Sequence, residues 1–261
     1  MSEVETWLNR LYVAAEGAGL RHEDRRKALE VAAMLGEIQR ALPRFSKRSR
    51  LLLVDAASGK SYLGLLAAKL LFEPTGRNAA VVAIERDARR VALSCRALER
   101  LQTRIPVECR AADVASAEAW PERPSIVAAL HACGPAADDI IGQSIANKAR
   151  MLLLVPCCTG NAVAAAVRAE AEAESLCIPR HAPVRRRFIQ AIVDTDRTWR
   201  LEAAGYETEV VEFVGATVTP HNLLWRARLV AEPARMAAAR RALETRARPA
   251  AANQAKNEDQ D

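Results

Sequence analysis

The sequence is poor in aromatic residues and lacks a long hydrophobic segment. Phe, Trp and Tyr make up 4% of the 261 residues although half of the chain is hydrophobic, so the core must consist mainly of Ala, Leu, Val and Ile. No apolar run approaches the ~20 residues that cross a bilayer, and Met1–Arg10 lacks the apolar segment of a secretory signal. We therefore expect a cytoplasmic protein that does not associate with membranes.

Cysteines with the spacing of a zinc site are also missing. The six cysteines do not follow the C-x₂₋₄-C pattern typical of structural zinc, and a cytoplasmic location predicts free thiols. His131 and Cys133 with the adjacent Cys157 and Cys158 are an alternative zinc set, but small thiols packed behind a site explain them as well. We predict no metal.

Positive charge exceeds negative charge, and most of the positive charge is arginine. The chain has 38 Lys and Arg against 32 Asp and Glu, which gives a net charge of +6. Arginine presents a planar fork that matches phosphate oxygens, so an RNA partner is one interpretation, with the basic segment Lys47–Arg50 as a candidate contact. A biased genome composition is the other interpretation, because it enriches Arg and Ala without any ligand.

Apolar runs alternate with helical periodicity from residue 51 onward, whereas residues 1–48 show helical periodicity alone. Continuous apolar strands separated by helices are typical of a doubly wound parallel sheet with both faces covered. We predict an α/β fold with an N-terminal helical extension (1–48), a central domain (49–232) and a basic helix with a disordered tail (233–261). The predicted strands are 51–54, 80–84, 107–110, 126–130 and 151–155, followed by a helix at 188–204 and a hairpin of 206–214 and 222–230.

The turn after the first predicted strand is the strongest functional signal. Asp55–Ser61 consists mainly of small residues and leads into a helix, whose free N–H groups face a ligand. A phosphate-binding loop is one interpretation, but its first glycine would fall at Val54. A dinucleotide fingerprint is the second, and only Gly59 fits its spacing. A loop for S-adenosylmethionine (SAM) is the third.

The SAM interpretation depends on the acids that end the first two strands, Asp55 and Glu85. SAM has no phosphate, its ribose hydroxyls need an acceptor such as Glu85, and its ammonium and sulfonium groups tolerate nearby negative charge. A structural alternative for Glu85 is an acid that stabilises a helix N-terminus. The two acids on consecutive strands together favour SAM.

His131 lies just past the fourth predicted strand, at the edge of a doubly wound sheet where ligands bind. We consider it a candidate general base or orienting group beside a reacting substrate. A partly buried structural histidine is the alternative interpretation.

Four segments of the chain resemble class I SAM-dependent methyltransferases. The similarity runs through Asp55–Leu63, Leu130–Gly134, Val155–Cys158 and the stretch from Glu202 to Ala227, and it covers roughly residues 45–230. It implies a mainly parallel, seven-stranded Rossmann-like sheet with an antiparallel last strand. It also implies SAM across the carboxyl ends of the first four strands.

The resemblance implies roles for individual residues as well. Asp55 and Gly59 would line the methionine end of SAM, Glu85 would bind the ribose and Asp113 would face the adenine amine. The chain departs from the family pattern at Ala57, where the pattern has Gly. The implied cofactor residues are Asp55, Ala57, Gly59, Tyr62, Glu85, Asp113 and His131, and the implied catalytic residues are His131 and Asn222, the latter with a turn role as its alternative.

These observations predict SAM-dependent methyl transfer to RNA (tRNA or rRNA), which the arginine surplus favours slightly over a protein acceptor. A SAM-fold binding protein without turnover is the alternative, because Ala57 replaces Gly and no acidic or Asn motif follows the fourth strand. A phosphate-loop nucleotide-binding protein is a further alternative.

Overall fold

A seven-stranded sheet organises the chain, with the strand order β3-β2-β1-β4-β5-β7-β6. The computed structural model describes residues 2–14, 17, 19–158, 162–220 and 222–247. The pairs β1·β2, β1·β4, β2·β3 and β4·β5 are parallel, and β7 is antiparallel to β5. This topology confirms the predicted doubly wound fold. The strands are β1 Leu51–Ala56, β2 Ala79–Glu85, β3 Val107–Ala111, β4 Ile126–Cys133, β5 Met151–Cys158, β6 Tyr206–Glu212 and β7 Leu223–Leu229.

The central strands form where the sequence is continuously apolar. Every residue of β2 is buried, as expected for a parallel strand that is covered on both faces. The chain order reverses between β1 and β4, and ligands bind in the crevice at the carboxyl ends of the strands at such a switch point.

Helices connect the strands and precede the sheet. Short π-helical segments continue α1 (Asn9–Val13) and α3 (Ala67–Phe72). The helix predicted at 188–204 begins earlier, because Pro183 lies in its first turn, where proline is favoured. The helices are α1 Glu3–Leu8, α2 His22–Ala41, α3 Tyr62–Leu66, α4 Ala88–Leu101, α5 Pro135–Ala146, α6 Ala164–Ser175, α7 Ala182–Ala203 and α8 Pro233–Ala247.

Two compact units make up the chain. The first comprises Met1–Val163 and Glu209–Arg228, and the second comprises Ala164–Thr208 and Leu229–Asp261. In the first unit, apolar residues of α1, α2 and the segments that follow them, from Val4 to Phe45, share one hydrophobic core with the sheet. The predicted division at residues 48 and 232 stays a prediction.

The second unit contains α6, α7 and α8. Ala169 and Ala173 of α6 are fully buried, and the Arg185 guanidinium of α7 lies 2.6 Å from Glu170 of α6. Within the described ranges, none of the helices combines the length and the hydropathy of a transmembrane span.

A buried ion pair joins α2 to the sheet. The Glu37 carboxylate is 4% exposed and accepts from the Arg226 guanidinium of β7 at two positions, 2.8 Å from Nε and 2.9 Å from Nη2. Glu209 of β6 contacts the same guanidinium at 3.0 Å. Because such fork-to-fork pairs have a fixed geometry, this contact defines where α2 lies against the sheet.

Replacement of Glu37 by Ala removes one partner of this pair and leaves Arg226 with the exposed Glu209 alone. We expect Glu37→Ala to lower the free energy of unfolding by about 1–3 kcal/mol, because the half-buried Arg226 loses two charge-assisted hydrogen bonds. Urea denaturation measures this loss. Leu29→Ala, at an exposed position of the same helix, should change stability by less than ~0.5 kcal/mol. Equal effects of the two variants would contradict the assigned role.

Candidate active site

The loop between β1 and α3 is held by a buried aspartate. The Asp55 carboxylate accepts a hydrogen bond from the Gly64 N–H at 2.8 Å and is 2% exposed. A Cβ at Gly64 would lie 3.0 Å from Asp55 Oδ2 and 3.1 Å from Val81 Cγ1. Only glycine therefore lets α3 approach the sheet closely enough for this bond.

The same loop contains left-handed backbone conformations. The φ angles are 51° at Ala57, 59° at Gly59 and 54° at Ser61. The Ser58 N–H donates to the Ile84 carbonyl at 3.0 Å, and the Ser61 N–H donates to the Ser58 carbonyl at 2.8 Å. Alanine is strained at a φ of 51°, since glycine alone adopts this conformation freely.

Glu85, at the end of β2, holds the other side of the loop. Its Oε2 accepts from the Gly59 N–H at 2.8 Å, and its Oε1 accepts from the Asp87 N–H at 2.9 Å. Glu85 is 6% exposed. Two carboxylates on neighbouring strands thus fix the loop through backbone N–H groups.

The Glu85 carboxylate also affects the charge of Asp55. Burial raises the pKa of Asp55 to about 7, the Gly64 hydrogen bond opposes this rise, and the nearby Glu85 carboxylate adds to it. The folded site therefore holds negative charge at an energetic cost that a cationic ligand would reduce.

A cavity of about 310 Å³ lies at the carboxyl edge of the sheet beside this loop. Lys27 and Val31 of α2 and Arg90 of α4 form part of its wall. A Cβ at Gly59 would meet nothing within 4 Å, so the backbone there faces open space. The predicted site residues Asp55, Ala57, Gly59, Tyr62 and His131 all line this cavity.

His131 reaches the cavity because β4 is irregular. The register with β5 shifts between Leu130 and Ala132, and His131 has a φ of 64°. Such a bulge changes the direction of a side chain. The His131 Nε2 atom lies 2.9 Å from Oε1 of Glu30 in α2, and Glu30 also pairs with Lys27 at 3.3 Å.

The N-terminal helical segment contributes aromatic residues as well. The Tyr12 hydroxyl donates to the Lys60 carbonyl at 2.6 Å, and its ring packs edge-on against Tyr62 at 4.6 Å between centroids. Burial, followed by the Tyr62, Asp55 and Cys109 charges, raises the pKa of Tyr12. Tyr12 is therefore a neutral donor that supports the loop.

In the described part of the chain, three predicted site residues do not line the cavity. Glu85 lies behind Gly59, as above. Asp113 is exposed and its carboxylate accepts from the Ala115 N–H at 3.0 Å. The Asn222 side chain donates to the Val214 carbonyl at 3.0 Å and is buried, so it holds the β6–β7 connection. A catalytic role for Asn222 stays a prediction.

One prediction about this region is wrong, and one sequence argument is supported. Val54 is a buried residue inside β1 that pairs with Val82 and Val127, which agrees with the sequence argument against a phosphate-binding loop, because the chain cannot open into a loop there. The free-thiol prediction fails for Cys133, which is disulfide-bonded. β4 and β5 extend further than predicted, and their register pairs the backbone of Cys133 with that of Cys158.

The remaining cysteines agree with the prediction where the structure describes them, since Cys95, Cys109 and Cys177 are free. The side chains of Cys157 and Cys158 lie outside the described residues, as does His221. In the described part of the chain no three His, Cys, Asp or Glu side chains form a group that could hold a metal ion.

Sequence reasoning missed the contribution of α2 and the importance of Gly64. A glycine inside a helical pattern indicates close packing, so Gly64 carried a signal that could have been used. No such signal marked Glu30 and Lys27, because charged residues on an amphipathic helix ordinarily face solvent.

Asp55 makes stability depend on pH, and Asp55→Asn tests this. The pKa of about 7 in the folded protein exceeds the ordinary 3.8, so the stabilisation is present at low pH and is lost as the pH rises through about 7. The Asn oxygen can still accept from Gly64 but carries no charge. We expect the stability difference, variant minus wild type, to grow by about 2–3 kcal/mol between about pH 5 and pH 8. Urea denaturation across this range measures it, and a constant difference would contradict the assignment.

A family model described as a methyltransferase domain matches residues 26–165. Among solved structures, the chain is similar to magnesium protoporphyrin IX methyltransferase from Synechocystis PCC 6803 with bound SAH, at 13% identity over 85% of this chain and 93% of that chain, with a TM-score of 0.48. For a putative rRNA methylase from Clostridium thermocellum the identity is 14%, the coverage 76% and 96%, and the TM-score 0.43.

A putative class I SAM-dependent methyltransferase from Listeria monocytogenes is similar at 7% identity over 87% of this chain and 68% of that chain, with a TM-score of 0.49. No curated protein matches the sequence. The family model spans more than half of the chain, including most of α2, β1 with its loop and His131. The chain therefore belongs to the methyltransferase-domain family and is a methyltransferase.

Proposed function

We propose that this enzyme transfers the methyl group of SAM to RNA, with a tRNA or an rRNA as the acceptor. When bound, SAM supplies an electrophilic methyl group on a sulfonium leaving group. The observation that carries the proposal is the cavity at the carboxyl ends of β1 and β4. The β1–α3 loop, the buried Asp55 and basic side chains all line this cavity. The protein's part is to position the reactants and to exclude water.

The negative charges of the site fit SAM better than they fit a phosphate. Asp55 and Glu85 repel each other, and a phosphate would add a third negative group, whereas the sulfonium and ammonium of SAM would relieve the repulsion. The open space at Gly59 lets a ligand approach the backbone closely. We assign Asp55 and Gly59 to the aminoacyl end of SAM, with Tyr62 and Ala57 in the surrounding wall.

The ribose and adenine contacts follow from the neighbouring strand ends. Both Glu85 oxygens already accept one N–H each, and a carboxylate oxygen can accept a second hydrogen bond, which a ribose hydroxyl would supply. Asp113 follows β3 and is exposed, so it is available for the adenine amine. Both roles are parts of the proposal.

A basic rim at the same edge supports an RNA acceptor. We define this basic rim as Lys27, Lys60, Arg86, Arg89 and Arg90. Three of these side chains line the cavity, and Arg86 and Arg89 are exposed where β2 leads into α4. Such a rim can contact phosphates on either side of a nucleotide in the site.

The basic segment that first suggested RNA lies elsewhere. Lys47–Arg50 precedes β1 and so lies at the amino edge of the parallel strands, opposite the cavity. We therefore base the RNA proposal on the basic rim, and the segment before β1 serves as an internal control.

Charge reversal tests the acceptor. We expect Arg86→Glu/Arg89→Glu to weaken binding of total cellular tRNA or rRNA at least 10-fold. The slope of log affinity against log salt concentration should become less steep by about 1.4, since two phosphate contacts to a single strand are lost. Arg48→Glu/Arg50→Glu makes the same change in net charge at the opposite edge and should leave both quantities closer to wild type. SAH affinity, measured by calorimetry, should stay within about threefold in both variants.

Transfer of labelled methyl groups from SAM into fractionated cellular RNA and protein identifies the acceptor class. Label in RNA that depends on the basic rim supports the proposal. Label in protein alone would assign a protein acceptor, and SAH binding without any transfer would indicate a binding protein. Equal loss of RNA affinity in both charge-reversal variants would show that the basic rim is not the RNA site.

Ala57→Gly tests the assignment of the loop. Alanine at a φ of 51° carries a strain of about 1–2 kcal/mol, and the greater freedom of glycine in the unfolded chain offsets about 0.5–1 kcal/mol of this. We expect Ala57→Gly to raise the free energy of unfolding by about 0.5–1 kcal/mol and to retain SAH affinity. Ala56→Gly, one residue earlier in β1, should destabilise the protein. A less stable Ala57→Gly variant would contradict the loop geometry.

A further inference from the structure

A carboxylate–imidazole pair joins α2 to the end of β4 at the cavity wall. The Glu30 carboxylate is 8% exposed, and its Oε1 lies 2.9 Å from His131 Nε2. Glu30 comes from the N-terminal part of the chain and His131 from the fourth strand, so the fold brings them together. Nothing in the sequence required this contact.

The backbone at His131 is strained in a way that places its imidazole at the cavity. The ladder between β4 and β5 pairs Leu130 with Val155 and Ala132 with Pro156, and the shift between these pairs falls at His131. A φ of 64° is uncommon for a residue with a Cβ. Strain of this kind persists only where surrounding contacts enforce it, and it concentrates at functional sites.

The pair defines which nitrogen of His131 carries the hydrogen. Burial acts to raise the pKa of Glu30, but hydrogen bonds and charges from His131 and Lys27 outweigh it and leave that pKa lowered. An ionised carboxylate can only accept, so Nε2 must be the N–H donor. In the neutral ring, the basic lone pair is then on Nδ1.

We infer that Glu30 is a positioning residue that makes His131 Nδ1 the proton acceptor in methyl transfer, and that the acceptor atom in RNA is an oxygen or nitrogen bearing a hydrogen. This inference rests on the proposed function. As the acceptor attacks the methyl carbon, the bond from oxygen or nitrogen to carbon forms and the sulfur–carbon bond breaks with its electron pair remaining on sulfur. The acceptor's proton passes to Nδ1, and His131 later releases it to solvent.

Glu30→Gln is the decisive variant, and Glu37→Gln is its matched control. Both positions are buried glutamates on α2, but Glu37 pairs with Arg226 and Arg40 rather than with His131. Two-bond ¹H–¹⁵N spectra of ¹⁵N-histidine-labelled protein report the tautomer, with the His131 signal assigned from a His131→Asn variant.

For neutral His131 we expect the Nε2–H tautomer in wild type and in Glu37→Gln, and a mixture in Glu30→Gln. Methyl transfer to total tRNA and rRNA should fall at least 10-fold in Glu30→Gln at saturating SAM, with SAH affinity within about threefold of wild type. Glu37→Gln should lower stability without changing the tautomer. A Nδ1–H tautomer in wild type, or wild-type turnover in Glu30→Gln, would overturn the role of Glu30.

The positioning role of Glu30 and the RNA acceptor are tested by separate measurements. The tautomer measurement needs no acceptor, so it decides the positioning role even if label enters protein rather than RNA, which would refute the proposed function alone. Mass spectrometry of nucleosides from labelled RNA decides the acceptor atom. An N-methyl or O-methyl nucleoside supports the inference, and a methyl group on a ring carbon would overturn it.

Discussion

Two hydrogen bonds from buried carboxylates to backbone N–H groups hold the β1–α3 loop, and the site depends on them. Asp55 binds the Gly64 N–H inside α3, and Glu85 binds the Gly59 N–H in the loop. These bonds satisfy buried donors and acceptors that would otherwise destabilise the fold. They also concentrate negative charge beside the cavity, so one arrangement both defines the loop and prepares the site for a cation.

The N-terminal helices are part of the site as well as part of the core. α2 supplies Lys27 to the cavity wall and Glu30 to His131, and its Glu37–Arg226 pair determines its place against the sheet. The loop and α2 thus enclose the cavity from two sides. A methyltransferase sheet alone, without the preceding helices, would lack the carboxylate that orients the imidazole.

The sequence predicted the fold well and the site in part, for physical reasons. Continuous apolar runs identified β1, β2, β4 and β5, because strands covered on both faces need them, whereas β3 is a partly exposed strand that contains charged residues. The extension of β4 past Leu130 was not predictable, since its continuation contains His131 and small residues that suit a loop equally well. The Glu30–His131 contact depends on how a helix docks, which local periodicity does not encode. The acids Asp55 and Glu85 were identified because each directly follows a run of apolar residues in the sequence.

A crystal structure of the full chain with SAH tests whether the cofactor binds beside the β1–α3 loop. We expect SAH in the cavity beside this loop, with its aminoacyl group near Asp55 and Gly59 and its ribose within hydrogen-bond distance of Glu85. The Asp55–Gly64 hydrogen bond should persist in the complex. SAH bound elsewhere on the protein, with this cavity occupied by solvent, would contradict the assignment of the cavity as the SAM site.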